Sequence, residues 1–190
     1  MTVALIGSRK APKLYRDMGT DIAMCLARQG IEMISGGAIG MDKAFEKGYT
    51  LTHNRYLCNI VLPTPTFGGY DLSHSNVTCI QDYPENIIRV CDRLIKEIHP
   101  YYDEIEKGSF AYWAHIRNCV QVLGLDLMSP VDEVFLWAPP NGIGVKGGTN
   151  TAFRIAQANG IPCWNLAKSE HIYYVEDRFG LKPNNLDFLL

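Results

Sequence analysis

Short apolar bursts alternate along the chain with stretches in which apolar side chains recur every three or four positions. A parallel sheet flanked by helices requires this alternation, because its strands are buried on both faces and its helices on one. The pattern predicts a first strand over residues 3–6 and a helix carrying Tyr15, Met18, Ile22 and Leu26 that ends at Arg28, before Gly30. A second strand is expected over 31–34, then a glycine-rich turn, a helix over 41–51 and a third strand over 58–62. Residues 63–83 are rich in Pro, Gly, Ser and Asn and read as one long loop, a length that is often functional. Pro84 opens a helix bearing Ile87, Val90, Leu94 and Ile98 that stops at Pro100, and another helix is expected over 109–125. The fourth strand is expected at 134–137, followed by a loop over 138–148, a helix over 149–158 and a fifth strand at 162–166. Residues 171–175, His-Ile-Tyr-Tyr-Val, read as an edge strand. The fold class is therefore α/β: a doubly wound, mainly parallel sheet of about five or more strands in residues 1–166. Residues 167–190 form an appended segment whose apolar end, Leu186 to Leu190, is expected to pack on the body or on a partner subunit of a homo-oligomer.

In an open parallel sheet, ligands bind beyond the carboxyl ends of the strands, so three loops carry the candidate chemistry. In the first, Gly7-Ser8-Arg9-Lys10, a glycine admits close backbone approach beside a hydroxyl and two cations, a set that suits phosphate. Alone it is equally well a solvated strand-to-helix turn. The second, Ser35-Gly36-Gly37-Ala38-Ile39-Gly40-Met41-Asp42, presents backbone N–H groups at the positive end of a helix. Asp42 there either caps the helix or accepts a ribose hydroxyl. The loop lacks both the dinucleotide fingerprint and the G-K-[ST] ending of a Walker loop. The third, Lys146-Gly147-Gly148-Thr149-Asn150-Thr151, opens a helix with a lysine and hydroxyls beside its N–H groups. Glycines also permit close helix–sheet packing, but such turns recurring at neighbouring strand ends favour a joint phosphate site. Phe67 and Tyr70, beside Gly68-Gly69 in a long loop with little core to fill, are candidates for stacking on a base.

Charge narrows the picture. The 190 residues carry a formal net charge of −2, so no global positive field draws the chain to a polyanion, and any such site must be local. A composition of 47% hydrophobic and 20% charged residues excludes disordered and fibrous classes. No apolar run approaches the roughly 18 residues that cross a bilayer, and residues 2–6 follow Met1 without the basic lead of a signal peptide, so a cytoplasmic protein with no membrane partner is expected. The six cysteines contain no C-x-x-C pair and sit in or beside apolar segments, which reads as buried reduced thiols. No metal site and no cofactor are expected.

Five motifs in order resemble one family. Ile6-Gly7-Ser8-Arg9 is similar to the strand-end G-S-R of the DNA-processing protein A (Smf) family, whose Rossmann-like core lies in the superfamily that also holds the LOG-type phosphoribohydrolases. Ser35-Gly36-x-Ala38-x-Gly40-x-Asp42 matches its S-G-x-A-x-G-x-D and is the most specific of the five. Tyr83-Pro84-x-Asn86, Arg117-Asn118 and Gly148-x-x-Thr151-Ala152 resemble its Y-P-x-N, R-N and G-x-x-T-A. The resemblance covers nearly the whole chain. It implies binding of single-stranded DNA through phosphate contacts and delivery to a recombinase, with Ser8, Arg9, the 35–42 loop, Arg117, Asn118 and the 147–151 turn lining the site. Three departures each remove positive or potentially positive character: Ile39 where the family has arginine, Glu46 where it has histidine, and Cys119 where R-N-R places a second arginine. Lost phosphate contacts weaken polyanion binding, and a smaller nucleotide ligand tolerates that loss better.

The expectation is thus a non-catalytic protein binding single-stranded DNA or a nucleotide. The alternative is a nucleotide N-glycosidase, which needs a carboxylate near the ribose; Asp42 and Glu46, four apart on one helical face, are the candidates, and His115 is a possible acid or base. The LOG-type motif G-G-x-G-T-x-x-E, aligned on Gly148-Thr149, puts its catalytic glutamate at Ala152 and is broken there. A third reading is a structural or interaction module using the apolar C-terminal end.

Overall fold

Val3, Ala4 and Leu5 are wholly buried, and a strand with no exposed face belongs at the centre of a sheet covered on both sides. In the computed structural model, which describes residues 1–181, this strand is β1 (Thr2–Gly7). It pairs in parallel with β2 (Glu32–Ser35) on one side and β5 (Glu133–Trp137) on the other. The sheet extends through β3 (Cys58–Leu62) and β4 (Val77–Cys79) beyond β2, and through β8 (Cys163–Asn165) beyond β5, giving six parallel strands in the order β4-β3-β2-β1-β5-β8. A two-residue antiparallel hairpin, β6 (Pro140–Asn141) with β7 (Gly144–Val145), occupies the loop after β5.

The chain winds outward from β1 to β4, then returns to lay β5 against β1, so the winding direction reverses between β1 and β5 and opens a crevice at their carboxyl ends. Alternate residues of each strand feed two cores. Val3, Leu5 and Phe135 pack against α1 (Lys13–Arg28), α2 (Met41–Leu51) and α6 (Ser169–Phe179) through Ile22, Phe45 and Val175. Ala4, Ile6 and Leu136 pack against α3 (Glu85–Ile98), α4 (Phe110–Leu123) and α5 (Thr149–Ala158) through Ile95, Ile116 and Ile155. The α1–α2 pair approaches closely because α2 carries Gly48: a Cβ there would stand 2.5 Å from the Thr20 carbonyl oxygen.

The α/β architecture expected from the sequence is present, with two differences. Residues 171–175 are helical: Ile172 and Val175 both face the first core, and Gly180, at φ +61°, ends α6 in the left-handed region. The stretch 63–83 contains β4, whose Val77 and Cys79 are buried while Thr78 is only half-buried, as well as two 3₁₀ turns, Phe67–Gly69 and Ile80–Asp82. The C-terminal end Leu186 to Leu190 lies outside the described residues. Segment 167–181 is pinned where it is described: Trp164 stacks on Tyr174 at 3.9 Å, and Arg178 grips the Glu133 carboxylate with both terminal nitrogens, Nη2 to Oε1 at 2.7 Å. All six cysteines are free thiols, four of them buried. Among the described residues no helix is long and apolar enough to cross a membrane, and no group of three His, Cys, Asp or Glu could hold a metal.

Candidate functional site

Above the carboxyl ends of β1 and β5 lies a cleft of about 630 Å³. The end of β1 and the loop after it contribute Gly7, Ser8, Arg9 and Lys10; the loop from β2 into the first turn of α2 contributes Ala38 and Asp42; α4 contributes His115, Arg117, Asn118 and Gln121; the turn from β7 into α5 contributes Lys146 through Thr149.

Asp42 staples the first two loops together. Its Oδ1 accepts from the Gly7 N–H at 2.9 Å and its Oδ2 from the Ala38 N–H at 3.2 Å. Burial pushes its carboxyl up to about 6, against the opposing pull of the Arg117 guanidinium and of the two backbone donors. The loops touch at Gly40, where φ is +90° and a Cβ would lie 2.6 Å from the Arg9 carbonyl oxygen, a place only glycine can fill. Helix α4 holds the second and third loops: Arg117 Nη1 donates to the Gly36 carbonyl at 2.8 Å, and Asn118 Nδ2 donates to the Gly148 carbonyl at 3.0 Å. Burial draws the Arg117 guanidinium downward, but an arginine remains a cation throughout the ordinary pH range. His115 is driven down to about 4, chiefly by burial and then by the neighbouring His99 and Arg117, so its ring is neutral at pH 7. Its Nδ1 shares a hydrogen bond of 2.8 Å with Thr151 Oγ1.

Of the sequence candidates, the cleft gathers Gly7, Ser8, Arg9, Asp42, Phe67, Arg117, Asn118, Gly147, Gly148 and Thr149. Ser35, Gly36, Gly37, Gly40 and Thr151 do not line it; all but the half-buried Gly40 are buried within the loops and helix that carry the lining residues. Tyr70 packs elsewhere. Its ring rests on Gly37, where a Cβ would be 2.6 Å away, its hydroxyl donates to Glu46, and Lys43 Nζ lies 3.7 Å from its centroid. Glu46 is 2% exposed, outside the cleft lining, and also takes Lys43 Nζ at 3.2 Å. Both candidate carboxylates are thus engaged in holding the fold. Phe67 faces the cleft beside Phe110, the ring centroids 5.6 Å apart.

Reading the sequence missed Phe110 and Gln121. The signal for Gln121 was its position four residues after Arg117, which places both on one helical face. Cys119 is fully buried in the second core, and so is Ala152, so an arginine or a glutamate would find no solvent at either position. Ile39 is 66% exposed.

Fold and cleft together define a class: Rossmann-like α/β domains whose strand-end loops gather at the switch point of the sheet. Within that class, the model of the family described as DNA recombination-mediator protein A matches residues 1–77, which span both the G-S-R and the S-G-x-A-x-G-x-D motifs. A solved structure of DNA processing protein A from Helicobacter pylori, described for its single-stranded DNA binding mode, superposes with a TM-score of 0.53 over 100% of this chain and 78% of its own, at 18% identity. That likeness is one of fold. The motif resemblance and the family model therefore agree over residues 1–77, and the shared fold runs the length of the chain. No curated protein matches the chain.

Proposed function

We propose that this chain binds single-stranded DNA through its phosphates at the cleft between β1 and β5 and does not turn it over. The observation that carries the reading is the convergence there of three strand-end loops with Arg9, Lys10, Lys146 and Arg117, against the single carboxylate of Asp42. A protein of net charge −2 that concentrates cations at one crevice has a local polyanion site rather than a general affinity. The single-stranded DNA binding described for the Helicobacter pylori protein of like fold and the family match over residues 1–77 support this reading. The N-glycosidase alternative gains nothing from the geometry, because Asp42 is held by two backbone donors and Glu46 by Tyr70 and Lys43.

Fluorescence anisotropy of a labelled single-stranded oligonucleotide tests the reading, with Arg9→Ala and Arg117→Ala as variants. Binding that weakens about tenfold in each variant supports it, the scale expected for one charge-assisted contact. Equal binding by both variants, or no binding at low salt, overturns it. The proposal also places residues 1–166 as the binding unit with 167–190 appended, in a cytoplasmic homo-oligomer. Light scattering of the full chain tests the oligomer, and a monomer at all concentrations contradicts it.

A further inference from the structure

Gln121 is a polar residue between Val120 and Val122, both wholly buried, on the helix that packs against the sheet. It is 1% exposed, and it lines the cleft. Among the described residues neither its Oε1 nor its Nε2 has a hydrogen-bond partner. A dry carboxamide is costly, so a buried one beside a cleft marks a place where something else completes its bonds. Arg117, one turn earlier, has its Nε in the same condition while its Nη1 is spent on the Gly36 carbonyl. Gly36 makes room for both, since a Cβ there would stand 2.5 Å from Arg117 Cζ and 2.7 Å from Gln121 Nε2. The same cleft presents the paired rings of Phe67 and Phe110, and Phe110 is 50% exposed.

We propose that Gln121 reads the edge of one nucleobase that enters this cleft, with the Phe67–Phe110 pair as its stacking surface. The inference rests on the phosphate-binding reading above and adds base selectivity to it. A carboxamide offers an acceptor and a donor side by side, the complement of the adjacent donor and acceptor on a base edge, and its commonest partner is adenine N6–H with N7. Ring stacking accepts every base, so selectivity falls to the amide. A water molecule in the same place would satisfy the amide but would not discriminate among bases.

The test measures binding of labelled dA, dC and dT homopolymers of equal length to the full chain, to Gln121→Met and to Gln121→Leu. Both substitutions put an apolar side chain of similar volume in place of the amide. The expected result is a preference of at least about fivefold for one homopolymer, with dA favoured, that falls within about twofold in whichever variant retains its melting temperature. Equal binding of all three homopolymers by the full chain, or the same preference in a folded variant, overturns the base-reading role and leaves the phosphate reading standing. Binding of none overturns both.

Discussion

Asp42 and His115 face the same cleft and carry opposite pH dependence. Burial raises Asp42 from its ordinary 3.8 to about 6, so between those values the folded chain holds a proton that the unfolded chain has released, and stability falls as pH rises through the window. His115 is lowered from 6.5 to about 4, so there the unfolded chain holds the extra proton and stability rises with pH. The two slopes largely cancel in the unmodified protein. Asp42→Asn is expected to leave a rising stability between about pH 4 and 6.5 and His115→Gln a falling one. The span is about 3 kcal/mol for the buried Asp42 and less for the half-buried His115, whose charge is partly screened by solvent. Urea midpoints at several pH values check this, and slopes of the same sign in the two variants would contradict it. At pH 7 Asp42→Asn also loses one of the two carboxylate acceptors whose bonds from backbone N–H groups join the first and second loops, a cost of about 1–3 kcal/mol.

At the level of elements, Gly48 shows packing overruling local preference. Alanine raises helix propensity by about 1 kcal/mol, yet its Cβ would lie 2.5 Å from the Thr20 carbonyl oxygen and 2.6 Å from Ala23 Cβ. Gly48→Ala is expected to lose about 2 kcal/mol as α1 is forced off α2, read as a lower urea midpoint; an unchanged or higher midpoint contradicts the account. The same tension decides what was legible in the sequence. Helix α2 and strand β3 were, because period, glycine and apolar run agree over 41–51 and 58–62. Residues 171–175 were not, because Ile, Tyr and Val favour strands locally, and only the docking of Ile172 and Val175 on the core makes them helical. Strand β4 is too short at three residues for any period to register. The three glycine-bearing loops declared themselves by composition. The partnership of Tyr70 with Glu46, and the arrival of Gln121 and Phe110 from α4, depend on the order of the sheet, which no local pattern encodes.

For the whole molecule the balance of charge sets the scale of binding. The cleft offers four cations to phosphate, Arg9, Lys10, Lys146 and Arg117, so on single strands the logarithm of affinity is expected to fall with the logarithm of salt at a slope of about −3. Arg9→Ala reduces that slope by about 0.7, as one lost phosphate contact requires, and an unchanged slope removes Arg9 from the interface. Ile39, exposed where the resembled family has arginine, adds no cation to that count. The central claim concerns where the strand lies. Amide hydrogen exchange of the full chain, with and without a saturating single-stranded oligonucleotide at low salt, addresses it most directly. Protection concentrated in residues 7–10, 36–42 and 146–151 is the predicted result. Unchanged exchange in all three loops while the oligonucleotide is bound would place the binding surface elsewhere on the molecule.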